Sequence, residues 1–205
     1  MSMPPAMDGP RVLTRTDLPI DTVLLARYLI GKIVVRQTPE ESLSGRIVET
    51  EAYPPGDAAS HAYRGRTPHN GALFLGPGHA HVYIAYGVSY MFNVASEAAG
   101  VGAGVLVRAL EPLDGIALMQ RNRGVEALRD LARGPGRLAA ALDIDLSLDG
   151  IDLCQEGPLW LAGDDHVAPD IGISTRIGIS RDADRPLRFY VRGNRFASGP
   201  KALNL

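Results

Sequence analysis

The hydrophobic and polar positions of the chain change repeatedly between a helical spacing and a strand spacing. Residues 21–30 (DTVLLARYLI) have apolar side chains at helical spacing, with Asp21 placed as an N-cap and Gly31 just past the end. The same spacing predicts a helix over 113–123 that ends at Gly124, and helical segments on either side of the Gly-Pro-Gly at 134–136. All of these predicted helices are short.

Runs of β-branched, aromatic and apolar residues, each bounded by turn residues, predict the strands. The run 81–96 (HVYIAYGVSYMFNVAS) predicts a hairpin whose two strands meet around Tyr86 and Gly87. The strand 104–112 (GVLVRALEP) is expected to end at Pro112. The other predicted strands are 32–36, 45–53, 150–154, 157–161, 176–180 and 186–193.

This mixture predicts an α+β fold with a curved, mainly antiparallel, barrel-like β-sheet, helices beside the sheet and a protruding β-hairpin. The chain has 205 residues, which is long enough for one domain with a proper core. Residues 13–205 contain no repeat or linker and are expected to form that single domain. Residues 1–12 are expected to be a disordered tail.

Composition limits the cellular setting and the possible stabilising groups. The single cysteine, Cys154, excludes an internal disulfide and a four-cysteine zinc site. No apolar run approaches the roughly 18 residues of a membrane span, and the first residues lack the pattern of a secretory signal. A cytoplasmic location is therefore predicted.

Charge is unevenly distributed, although the net charge is only −2. The stretch 171–201 contains seven basic residues and two acidic ones, and the stretch 58–96 contains no acidic residue but four of the five histidines. Together the two stretches could form a basic face that meets phosphates. A solvated surface with charges clustered by chance is the alternative.

The strand 45–53 carries the candidate chemistry. Glu49, Glu51 and Tyr53 alternate along it and are predicted to share one face. Arg108 interrupts the apolar strand 104–112, and a buried arginine needs an anionic partner, for which Glu51 and Glu49 are the candidates. A solvated strand face is the alternative if the strand is considered alone.

Several motifs in collinear order resemble the alkyladenine (3-methyladenine) DNA glycosylase family. They are ETEAY, SHAYRGRTPHN, HVYIAYG followed by Asn93, VLVRALEP, LARGPGRLAAALDI, RIGIS and PLRFYVRG. The resemblance as a whole runs from about Leu13 to Gly193. The resemblance implies that Glu51 is the general base that activates the attacking water. It also implies that Arg108 holds this water and the carboxylate, and that the backbone carbonyl of Ile177 contacts the same water.

The resemblance further implies a pocket for a base flipped out of DNA, lined by Tyr53, His61, Tyr83 and Asn93. Tyr86 matches the side chain that enters the duplex and fills the gap. Arginines of the two basic stretches, and Arg137 in the motif LARGPGR, are expected to contact DNA phosphates; those of the stretches are Arg64, Arg66, Arg176, Arg181 and Arg188. The spacer between Tyr53 and His61 is one residue shorter than in vertebrate members of the family.

These assignments predict a monomeric enzyme that acts on double-stranded DNA, needs no cofactor or metal, and hydrolyses the N-glycosidic bond of 3-methyladenine and related purines. The guanidinium of Arg108 is expected to lower the pKa of Glu51 and keep it ionised. Only Lys32 and Lys201 could supply an amine nucleophile, so strand cleavage is not expected. The alternatives are a non-catalytic nucleic-acid-binding module and a metal-dependent hydrolase that uses His79 and His81.

Overall fold

The computed structural model describes residues 10–85, 87–166 and 170–200, and within them a mainly antiparallel sheet of nine strands carries three α-helices. The strands are β1 (Arg11–Val12), β2 (Ile33–Gln37), β3 (Ser42–Tyr53), β4 (Ala80–Ala85), β5 (Ser89–Ala95), β6 (Gly104–Asp114), β7 (Leu159–Gly163), β8 (Ile171–Ser174) and β9 (Arg188–Val191). The helices are α1 (Thr22–Leu29), α2 (Ile116–Arg123) and α3 (Pro135–Ala141). The predicted α+β class is confirmed.

Strand β3 is the central element, because it pairs with three other strands. Residues 42–46 pair with β2, residues 44–53 follow β6, and residues 49–51 pair with β9 on the side away from β6. The main order of the sheet is β1-β7-β2-β3-β6-β5-β4, with β8 joined through β9. In the described part of the chain β1 and β4 end this order without pairing to each other, so the sheet is open rather than a closed barrel.

Helix α1 forms where the apolar spacing predicts it. The carboxylate of Asp21 accepts a hydrogen bond from the N–H of Leu24 at 2.8 Å and so caps the first turn. Leu25 and Leu29, one turn apart, are fully buried beneath the sheet. The hydroxyl of Thr50 in β3 donates to the carbonyl of Ala26 at 2.8 Å, which fixes α1 beside the strand that carries the two glutamates.

Several predicted boundaries change. Strand β6 continues through Pro112 to Asp114, and β1 begins at Arg11, inside the stretch expected to be a disordered tail. The runs 150–154 and 176–180 are not strands; the first contributes one isolated bridge, between His79 and Asp152, and the second forms a bend. Before the Gly-Pro-Gly there is only a short 3-10 turn, and α3 starts at Pro135 itself, where the fixed φ of proline suits the first helical position.

The hairpin of β4 and β5 is confirmed, with Ala85 opposite Ser89. Its tip is exposed: 85% of the surface of Val88 is accessible. Tyr86, the predicted intercalating residue, lies outside the described residues. None of the helices in the described ranges has the length and apolar character needed to cross a membrane.

Candidate active site

The site begins with an irregularity in the pairing of β3 with β6. The register shifts between Ile47 and Glu49 and again between Glu49 and Thr50, which leaves Arg108 of β6 without a partner directly opposite. A bulge of this kind redirects a side chain that regular pairing would place elsewhere. Here the guanidinium of Arg108 lies between two carboxylates, with Nε 2.9 Å from Glu49 and Nη1 3.2 Å from Glu51. The predicted pairing of Arg108 with both glutamates is confirmed.

Glu51 is fully buried and has three partners. Besides Arg108, it accepts a hydrogen bond from the backbone N–H of Ile177 at 2.7 Å and one from the hydroxyl of Tyr53 at 2.9 Å. The N–H of Ile177 thus contacts the carboxylate, and the expected contact of the Ile177 carbonyl with the attacking water stays a prediction. Burial raises the pKa of Glu51 above its usual range, and Arg108 with the two hydrogen bonds offsets this only in part. Arg108 lowers the pKa of Glu51 as expected, but burial outweighs this contribution, so the expected net lowering of the pKa is wrong.

Glu49 is equally buried but has a different electrostatic environment. It accepts hydrogen bonds from Arg188 Nε at 2.6 Å and from Ser198 N–H at 2.6 Å, in addition to Arg108. Burial opposes the charge of Glu49, but the two guanidinium groups outweigh it and hold the pKa below its usual range. The ionised form of Glu49 is thus favoured, while Glu51, two residues later, is the more basic carboxylate.

Two of the predicted phosphate contacts are wrong, because the side chains lie in the interior. Arg188 is fully buried against Glu49. The side chain of Arg176 is also fully buried; it forms an ion pair with Asp57 at 2.8 Å, donates to the carbonyl of Ala52 at 3.0 Å, and its guanidinium lies 4.6 Å from the ring centroid of Tyr53. Arg176 therefore fastens the bend that contains Ile177 to the end of β3.

A cavity of about 540 Å³ opens beside Arg108, which is within the usual range for small-molecule sites. The four residues predicted to line a base pocket, Tyr53, His61, Tyr83 and Asn93, all line it. The amide nitrogen of Asn93 donates to the carbonyl of His81 at 3.2 Å, which fixes the orientation of Asn93. The sequence motifs and the cavity thus identify the same group of side chains.

The aromatic side chains are divided between two walls of the cavity. Tyr53 lies at the end of β3, with one ring face covered by Arg176. The rings of His61 and Tyr83 contact each other, with centroids 3.9 Å apart and planes inclined by 56°. Because these two rings already touch, a flat ligand has room beside them, towards Tyr53, and not between them.

The remaining predicted phosphate contacts are exposed. Arg64 and Arg181 line a second depression of about 330 Å³, which shares Ser60 and His61 with the wall of the cavity. Arg66 is exposed in the same loop, and Arg137 is exposed at the start of α3, 3.5 Å from Asp130. Both histidines of the metal alternative have other partners: the ring of His79 is bound to the carbonyl of Gly76 and that of His81 to Asp149. Their rings are therefore held by separate parts of the chain.

Comparison with known proteins identifies the family. Residues 16–195 match the model of the family described as methylpurine-DNA glycosylase (MPG), which covers most of the chain and all the cavity residues named above. The chain belongs to this family. Among similar proteins, one from Mesorhizobium japonicum is 69% identical over 191 residues, which is 93% of this chain and 92% of the relative.

Two more distant relatives have equally full coverage. A protein of Paraburkholderia phytofirmans is 54% identical over 93% of this chain and 90% of its own length. One of Rubrobacter xylanophilus is 48% identical over 86% of this chain and 92% of its own length. All three relatives carry the name "Putative 3-methyladenine DNA glycosylase". The resemblance inferred from the motifs is therefore confirmed at the level of the methylpurine-DNA glycosylase family.

Sequence reasoning missed the supporting residues of this site. Asp57 and Arg176 hold the bend at Ile177, and Arg188 with Ser198 holds Glu49. The only available signal was the position of Asp57, the last acidic residue before a long stretch without any. The pairing of Arg176 and Arg188 with acids could not be told from the charge pattern.

Proposed function

We propose that this chain is a monofunctional DNA glycosylase that removes 3-methyladenine and related alkylated purines from duplex DNA by hydrolysis. The observation that carries the proposal is the position of Glu51: a buried carboxylate beside a purine-sized cavity, bound to Arg108 and to the N–H of Ile177. The relatives named after 3-methyladenine support the same substrate class. A module that only binds nucleic acid gains nothing from a buried carboxylate, which repels phosphates.

Cleavage of an N-glycosidic bond passes through a sugar with oxocarbenium character, and water attacks the face opposite the leaving base. Glu51 stabilises this cation and accepts the proton of the water. Its raised pKa suits a general base, because a carboxylate that titrates closer to the working pH is a better proton acceptor. Arg108 orients the carboxylate while its Nε remains committed to Glu49.

The base reaches the cavity by rotation of its nucleotide out of the duplex, which costs a few kcal/mol. Tyr86 fills the vacated position, and the exposed Arg64, Arg66, Arg137 and Arg181 contact phosphates. A cationic alkylated purine gains cation–π attraction of about 0.5–2 kcal/mol from the tyrosine rings.

The position of Lys32 supports hydrolysis without strand cleavage, because strand cleavage needs a free amine as nucleophile. The ammonium of Lys32 packs on the ring of Tyr28, 4.7 Å from its centroid. A covalent adduct with DNA trapped by borohydride would contradict this part.

The direct test is release of 3-methyladenine from methylated duplex DNA by the wild type and by Glu51→Gln. We expect the variant to lose at least about 10²-fold in rate, which is the lower range for general base catalysis. It should still bind a duplex that contains an abasic-site analogue. Glu156→Gln, the same change on an exposed glutamate, is the matched control and should keep full activity. Equal rates for Glu51→Gln and wild type would refute the role of Glu51.

A further inference from the structure

The floor of the cavity includes Leu106, Asn93 and His81, which lie in one row with the buried Glu51 across four adjacent strands. Glu51 of β3 is paired with Leu106 of β6, Leu106 with Asn93 of β5, and Asn93 with His81 of β4. Residues paired in this way point to the same face of a sheet. Since adjacent strands are about 4.8 Å apart, the row from Glu51 to His81 spans about 14 Å. The carboxylate is at one end of the row, and His81 is at the other.

The orientation of the His81 ring is fixed by Asp149. Nδ1 of His81 lies 3.1 Å from Oδ1 of Asp149, and the same oxygen accepts the backbone N–H of Val82 at 2.8 Å. An ionised carboxylate can only accept hydrogen bonds, so Nδ1 carries the proton of the neutral ring and Nε2 has a free lone pair. Burial lowers the pKa of His81, and Asp149 offsets this only in part, which favours the neutral ring.

Nε2 of His81 is a buried acceptor that lacks a hydrogen-bond partner among the described residues. The residue is only 1% exposed, yet it lines the cavity, and its Nδ1 edge is turned to Asp149. A buried polar atom without a partner is unfavourable, and such atoms in native proteins are commonly completed by a ligand or by water. The ring also stacks on Tyr83, with centroids 5.5 Å apart, so it cannot turn without disturbing that wall.

We propose that Nε2 of His81 accepts a hydrogen bond from the exocyclic amino group of the flipped purine and thereby favours 6-amino purines over 6-oxo purines. This inference rests on the proposed glycosylase function and adds a residue that selects among its substrates. An acceptor at this position provides the hydrogen-bond partner that an amino group needs. It faces the oxygen of a 6-oxo base lone pair to lone pair, and a site built for one hydrogen-bonding pattern discriminates against the other.

The test compares two bases released in one reaction. Duplex DNA treated with a methylating agent contains 3-methyladenine, a 6-amino base, and 7-methylguanine, a 6-oxo base. The measured quantity is the ratio of their initial release rates, determined by chromatography. Because the same enzyme molecules release both bases, the ratio is independent of the fraction of a variant that is folded.

Two substitutions separate the acceptor from the rest of the ring. His81→Asn keeps an N–H near the position of Nδ1 for Asp149 but places nothing at the position of Nε2. His81→Gln can place its amide oxygen near the position of Nε2. His166→Asn, the same replacement on an exposed loop, is the matched control.

We expect His81→Asn to lower the ratio of 3-methyladenine to 7-methylguanine release by about 3- to 10-fold, the effect of one lost hydrogen bond. His81→Gln should stay within about 2-fold of wild type, and His166→Asn should not change the ratio. An unchanged ratio in His81→Asn overturns the inference, as does an equal fall in both His81 variants, which would assign the effect to loss of the ring. Release of neither base by the wild type would instead refute the proposed function.

Discussion

The two buried glutamates of β3 should respond in opposite directions to the same substitution. In Glu49→Gln, the carboxylate that binds Arg188 Nε at 2.6 Å and Arg108 Nε at 2.9 Å is replaced by a neutral amide. Arg188 is fully buried, so its charge loses the ion pair with Glu49 inside the protein. Breaking a buried ion pair in this way costs about 3–5 kcal/mol of the free energy of unfolding. For a chain of this size, such a loss corresponds to a fall in Tm of about 6–20 °C.

Glu51→Gln should leave the free energy of unfolding unchanged or increase it. Burial raises the pKa of Glu51, so the folded protein holds this proton more tightly than the unfolded chain does. Stability therefore falls as the pH rises from the ordinary pKa of glutamate through the folded value, and the ionised group is a net cost at neutral pH. A neutral amide removes this cost, while Arg108 keeps its partner Glu49. Under the proposed function we expect the variant to lose activity but not stability, as is common when an active-site group is replaced.

For Glu49 the pH dependence of stability has the opposite sign. Its folded pKa is lowered, so its contribution to stability is present above the unfolded pKa and is lost as the pH falls through the folded value. Urea unfolding at pH 7 measures the midpoint and the slope for wild type, Glu49→Gln, Glu51→Gln and the exposed control Glu156→Gln. Destabilisation of both buried variants by similar amounts would refute the reasoning, since it would mean that the two carboxylates share one environment.

Three other predictions follow from the same geometry. The acid limb of the pH profile of kcat/KM should lie above the pH range in which an ordinary glutamate titrates, because Glu51 must be ionised and burial raises its pKa; a limb at the usual range would contradict this. Asp57→Asn weakens the anchoring of the bend at Ile177, so single-turnover base release should slow by more than affinity for abasic-analogue DNA falls. Arg181→Ala, which removes an exposed cation beside the cavity, should reduce the slope of log K against log salt by about 1 in DNA-binding titrations, and an unchanged slope would exclude a phosphate contact.

Local signals in the sequence were sufficient for some elements. Helix α1 is predicted because a capping residue, Asp21, precedes apolar positions one turn apart, and all of these interactions lie within ten residues. The hairpin of β4 and β5 is likewise predicted from local signals, because its two strands and the turn between them are consecutive in the sequence. The pairing of Arg108 with Glu49 and Glu51 is not local in sequence. It could still be predicted, because a lone arginine in an apolar strand requires an acidic partner, and the two glutamates lie in another predicted strand.

The bend at 176–180 and the burial of individual arginines depend on tertiary contacts, which no short stretch of sequence contains. The run 176–180 resembles a strand in composition, but Arg176 is held by Asp57 and by the carbonyl of Ala52, which imposes a bend. Arg181 is exposed and Arg188 is buried, although both stand in the same basic stretch. Whether an arginine meets water or an acid depends on the neighbouring strand, and charge counting cannot distinguish the two.

The net direction of the pKa of Glu51 also follows from a tertiary arrangement. Burial raises it, and a guanidinium devoted to Glu51 alone would oppose burial more strongly. Arg108 is shared instead: its Nε is bound to Glu49, whose own charge further raises the pKa of Glu51. Glu49 is in turn favoured in its ionised form by hydrogen bonds from Arg188 and from the N–H of Ser198. The pair Glu49 and Arg188 thus allows Arg108 to orient Glu51 without making it too weak a base, and this is a physical reason for two buried glutamates, rather than one, beside Arg108.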